Sequence, residues 1–138
     1  SSAASDVYKR QIVAHLTSFE HVLVEILDSL LAESGETPHL DAFCRDQLQF
    51  NDDEVAKRAD DTVAQTMAEY EETQARAMEL MARIPPEMEQ KTGILPWYGA
   101  DYDLQDFLVY SFYGHKREHC AEIAAFRDRL QRGVTADS

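Results

Sequence analysis

Two histidines four residues apart, His115 and His119, stand in the run Tyr113-Gly114-His115-Lys116-Arg117-Glu118-His119. On a helix, side chains at this spacing lie one turn above the other on the same face. Two imidazoles so placed can share one divalent ion. Burying both without partners would be costly, and a shared cation removes that cost. A third histidine, His15, falls on the apolar side of an earlier helical stretch. Three neutral imidazoles around one ion, with a coordination position left over, form a common catalytic arrangement. From spacing alone two alternatives stay open: a metal centre, or histidines in the core satisfied by ordinary hydrogen bonds. His21 reads as facing out and His39 as lying in a loop, so both are expected in solvent.

The same run fits the H-x-x-E-H pattern of inverted zinc peptidases. That chemistry requires Glu118 at the metal and a further carboxylate ligand well downstream. Glu118 is turned to the flank of the helix, and few residues follow His119, so peptidase chemistry is set aside. Glu122 lies on the histidine face near its edge, where it would serve as a hydrogen-bond partner to one imidazole or as a fourth, structural ligand.

The elements that must carry these residues are helices. Ile12, Leu16, Phe19, Leu23, Ile26, Leu27 and Leu30 recur at spacings of three and four, which predicts an amphipathic helix ending near Glu33-Ser34-Gly35. Residues 38–50 are ambiguous between a short helix and a packed loop. Asn51-Asp52-Asp53-Glu54 reads as a helix start, with a cap followed by acidic residues. Val55, Ala59, Val63, Met67, Tyr70, Ala77, Met81 and Ile84 continue that helix to Pro85-Pro86. Residues 87–103 form a long connection, unusually apolar because it holds Ile94, Leu95, Trp97, Tyr98 and Tyr102. It is expected to plug one end of the core, to wall a site, or both. Asp103 caps a last helix to about Gln131, with Leu104, Leu108, Phe112, Ile123, Phe126 and Leu130 as its apolar face. At about 100° per residue His115 and His119 fall in the middle of that face, while Lys116 and Cys120 point outward.

The chain's 138 residues suit one domain of all-α class. A net charge of −13, from 26 acidic and 13 basic residues, would repel phosphate backbones and acidic lipid, so neither nucleic acid nor a membrane is an expected partner. No apolar run is long enough to span a bilayer and no secretion signal is recognisable. Cys44 and Cys120 are far apart, form no Cys-x-x-Cys pair and fit a reducing cytoplasm. Residues 1–11 are expected to be non-native. Asp6-Val7-Tyr8-Lys9-Arg10-Gln11 resembles the translation of GAT-GTG-TAT-AAG-AGA-CAG, the end of a widely used transposon sequencing adapter.

Three runs, taken together, resemble the DinB family of small bacterial helical proteins. Ile12-Val13-Ala14-His15-Leu16-Thr17-Ser18-Phe19-Glu20 resembles the family's hydrophobic-His-Leu helix. Pro96-Trp97-Tyr98-Gly99, with Tyr102-Asp103-Leu104, resembles its last loop, and His115 to His119 its last helix. The similarity spans residues 12–130. It implies a four-helix bundle over residues 12–138, with a helix before the one bearing His15 missing from this chain and an apolar groove left in its place. It also implies one divalent ion, zinc or nickel, held by His15, His115 and His119. Oligomeric state is left open by the groove, a homodimer being one expectation. Characterised relatives include transferases and isomerases that use low-molecular-weight thiols such as bacillithiol or mycothiol. The implied function is therefore metal-dependent thiol transfer to a small electrophilic substrate. The alternatives are a metal-dependent hydrolase, and a non-catalytic bundle with a structural metal site.

Overall fold

The computed structural model describes residues 2–33 and 35–114, and over these the chain is helical with no strand. His115, His119, Glu122 and Cys120 lie outside the described residues, as does the expected continuation of the last helix to Gln131.

The first helix, α1 (Ser2–Leu30), is the spine. Its predicted stripe is the buried one: Ile12, Leu16, Phe19, Leu23, Ile26 and Leu27 are all buried. Helical structure begins ten residues before Ile12, with Ser5 buried and Tyr8 lining a cavity. The helix ends at Leu30, and Ala32 takes a left-handed φ of 57°.

The ambiguous stretch 38–50 resolves into α2 (Pro38–Arg45) and the start of α3 (Gln47–Lys57). Proline at the first position of α2 costs nothing, because its missing N–H would have no partner there. The expected start of α3 at Asn51 is incorrect. Asp46 caps it instead, accepting from the Gln49 amide at 3.1 Å, and this earlier start brings Phe50 into the core. Nor is the helix continuous from residue 51 to residue 84. It breaks after Lys57, and α4 (Val63–Arg83) starts afresh. Thr62 accepts from the Gln65 amide at 3.0 Å while the Gln65 side chain accepts from the Thr62 amide at 2.8 Å. This reciprocal pair satisfies two donors that a helix start otherwise leaves unpaired.

The long helices α1 and α4 pack together, with α2 and α3 folded over α1. Between them lies one core of Phe19, Leu23, Leu27, Phe50, Leu80 and their neighbours. After the single turn α5 (Pro86–Glu89), the connection closes on itself where the Gly93 amide donates to the Tyr102 carbonyl at 2.9 Å. Gly93 holds a φ of 74°, which glycine adopts without strain. Leu95 is buried in the core, so the connection plugs it, and Trp97 and Tyr98 also line a cavity. Asp103 then caps α6 (Leu104–Asp106) as expected, in a box with Asp106 at 2.8 and 3.0 Å. The chain continues as a π-helical segment, Phe107–Tyr113, and Leu104, Leu108 and Phe112 are buried along the predicted face. No described helix is long and apolar enough to cross a membrane.

Candidate functional site

Of the three expected ligands, His15 is the one within the described residues. It projects from the middle of α1, half-buried, with its ring edge-on to Phe19 at 4.9 Å between centroids. Its Nδ1 bonds to the Asn51 side-chain carbonyl on α3. An amide oxygen only accepts, so Nδ1 carries the proton in this bond. Metal-binding histidines are usually oriented by an acceptor on one ring nitrogen, as Asn51 orients this ring. His15 and Asn51 line a cavity of about 500 Å³ with Tyr8, Arg10, Gln11 and Ile12. Whether His115 and His119 converge on His15 lies outside the described residues.

A second histidine cluster was missed by sequence reasoning, and it corrects the expectation of solvated His21 and His39. His39 is the second residue of α2, not part of a loop, and its ring stacks on that of His21 at 4.8 Å and 11°. The His39 Nδ1 bonds to Glu25 of α1, and its Nε2 lies 3.4 Å from the Glu54 carboxylate of α3. His21 donates to Glu69 of α4 at 2.7 Å. Arg58, 4% exposed, joins the two halves. Its Nε and Nη2 hold both oxygens of Glu69 at 2.8 and 2.7 Å, and its Nη1 reaches the Glu54 backbone carbonyl at 3.0 Å and carboxylate at 3.4 Å. Glu25 also accepts from the backbone amides of His39, at 2.8 Å, and Leu40, at 3.1 Å. A side chain from α1 thus caps α2, whose own Thr37 makes no side-chain cap.

The electrostatics of this cluster follow from its partners. The Glu54 carboxylate, opposed by burial and aided by Glu25, holds the His39 imidazole above its ordinary 6.5. Burial works against ionised Glu54, yet hydrogen bonds from His39 and Lys57 and the charges of Lys57 and Arg58 bring it down to about 2. Arg58, against a burial penalty and with help from His21, brings Glu69 to about 2 as well. A carboxylate stands at each ring nitrogen of His39, an arrangement that suits imidazolium, which donates from both nitrogens and has no lone pair for a metal. Among the described residues no set of three His, Cys, Asp or Glu side chains is arranged to hold a metal ion. The cluster is a clasp joining α1, α2, α3 and α4.

No protein-family model matches the chain, and no curated protein or solved structure matches it either. The expected kinship with the DinB family stands on the short runs at residues 12–20, 96–104 and 115–119.

A sequence signal for the clasp did exist. His21 and Glu25 lie one turn apart on α1, a spacing that puts them on one face, and Thr37-Pro38 marks a helix start that places His39 in its first turn. Their meeting depends on how α2 folds back on α1, which spacing does not specify. Among the described residues Cys44 is a poor nucleophile, because burial and the Asp41 charge push its thiol up and disfavour thiolate.

Proposed function

We propose that this chain is a DinB-like, four-helix-bundle protein that binds one zinc or nickel ion through His15, His115 and His119. We further propose that it transfers a low-molecular-weight thiol to a small electrophilic substrate. One observation supports this: His15, half-buried on α1, has its Nδ1 held by the uncharged side-chain carbonyl of Asn51, the kind of partner that orients a metal-binding histidine. When bound, such an ion lowers the pKa of a thiol beside it and so supplies a nucleophile at neutral pH. The chain's own residues supply position and shelter. Asn51 sets the His15 ring, Phe19 packs against its edge, and the connection carrying Trp97 and Tyr98 walls the neighbouring cavity.

Elemental analysis after dialysis tests the metal, with the His115→Ala, His119→Ala double variant as control; unchanged metal content in that variant would sink the proposal. Conjugation of a haloarene with bacillithiol, mycothiol or glutathione, dependent on metal and lost in His119→Ala, tests the reaction. A second reading is favoured by the clasp at His39, which joins helices through buried histidines and charges without any reaction. On that reading the metal set is likewise structural, and a site filled by four protein ligands, Glu122 among them, would select it.

A further inference from the structure

A second cavity, of about 400 Å³, lies between α1, the junction of α2 and α3, the long connection and the π-helical segment. Six aromatic rings line it: Phe19, Phe43, Trp97, Tyr98, Phe107 and Tyr110. They meet edge to face, with Phe19 to Phe43 at 5.4 Å, Trp97 to Phe107 at 5.5 Å and Tyr98 to Phe107 at 5.3 Å. Rings held edge-on to one another present both edges and faces to whatever enters, the two surfaces that another aromatic ring packs against. The described lining holds no charged side chain; its polar groups are Gln47, Ser111 and the tyrosine hydroxyls. Ser111 donates to the Tyr98 hydroxyl at 3.0 Å, which leaves the Tyr98 O–H able to donate to a ligand acceptor.

Three further observations separate this cavity from a packing defect. Its volume falls in the range of small-molecule pockets. Trp97 and Tyr110 stand at its edge 38% and 71% exposed, and apolar side chains left in water beside a concave site mark a binding surface. The π-helical geometry of Phe107–Tyr113, which carries Phe107, Tyr110 and Ser111, is uncommon and concentrates at functional sites. The cavity also adjoins the candidate centre: Phe19 contacts both it and His15, and Gly114 in its lining is the residue before His115 in the chain.

We infer that this cavity is the substrate pocket and that its ligand is a small uncharged aromatic molecule, held by ring packing and by one hydrogen bond from Tyr98. As a statement of substrate class this rests on the metal reading above; as a statement of binding it stands apart from it.

The test uses the full chain and its one tryptophan, Trp97, as reporter. Phenol, cyclohexanol and benzoate are titrated separately while Trp97 emission and heat of binding are followed, and metal content is measured on the same samples. Phenol should give a saturable emission shift, and cyclohexanol and benzoate should bind at least tenfold more weakly. Tyr110→Ala removes an exposed ring, so the fold should survive, and should weaken phenol about fivefold; Ser111→Ala should weaken it less. Absence of a saturable shift, equal binding of cyclohexanol, or unchanged phenol affinity in both variants overturns the inference. If phenol binds selectively to protein that takes up no metal, the pocket stands and the metal reading fails. If metal binds and phenol does not, the pocket fails alone.

Discussion

His15 and His39 lie on adjacent helices, both half-buried, and they are held in opposite ways. His15 gives the Nδ1 proton to the uncharged side-chain carbonyl of Asn51. His39 faces Glu25 with one nitrogen and Glu54 with the other, which favours the doubly protonated cation. The first arrangement is of the kind that orients metal-binding imidazoles, and the second uses the imidazole as a cation between two helices. The chemistry open to a buried histidine is thus set by the charge of what faces its two nitrogens, not by its burial or its position on a wheel.

The largest effect that sharpens this contrast comes from Arg58. Arg58→Met leaves Glu54 and Glu69 without their shared cation and should lower stability by about 3 kcal/mol or more in urea unfolding. Metal uptake per folded chain should be unchanged; a loss would mean that clasp and centre are one unit. Asn51→Leu tests the other side. It frees the His15 ring and should weaken divalent-ion affinity by roughly 10–100-fold, read by competition with a chelator, with a small change in stability. Unaltered affinity would break the assignment of Asn51 as the orienting group.

Smaller effects belong to the clasp alone. Glu25→Ala removes the cap on α2 together with a partner of His39 and should cost about 1–2 kcal/mol, with faster amide exchange at His39 and Leu40. The pH dependence should be smaller still and has a definite sign. The His39 contribution is complete below its ordinary 6.5 and is lost as pH rises through its raised value in the folded chain. Those of Glu54 and Glu69 are complete above 4.5 and are lost as pH falls through about 2. The clasp should therefore stabilise most between 4.5 and 6.5, and His39→Gln should flatten the alkaline arm of a stability profile. An alkaline arm as steep in that variant as in the parent would show that His39 is not the titrating group.

Features written in local pattern were legible in the sequence, and features made by docking were not. The stripe of α1 from Ile12 to Leu27 is buried as its period requires, because one helix face carries nearly all of that information. The Asp103 cap and the apolar connection after α5 were likewise local. The break before α4 was also written locally, as Thr62-x-x-Gln65, but the apolar period running on through Val55, Ala59 and Val63 hid it. Asn51-Asp52-Asp53-Glu54 has the composition of a helix start, yet Asp46 caps first, and two of those residues turn to other work: Asn51 orients His15, and Glu54 meets His39 and Arg58. Burial of Arg58 and stacking of His21 on His39 require α1, α2, α3 and α4 to be in place together, and no periodicity within one helix encodes that.

The most direct measurement compares two single variants, His15→Ala and His39→Ala, for zinc content by elemental analysis after dialysis, with helicity checked by circular dichroism. Parent protein should hold about one ion per chain. His15→Ala should hold almost none, and His39→Ala, less stable but folded, should hold as much as the parent. Zinc retained in His15→Ala, or lost from folded His39→Ala, would contradict the assignment of His15 as ligand and His39 as clasp.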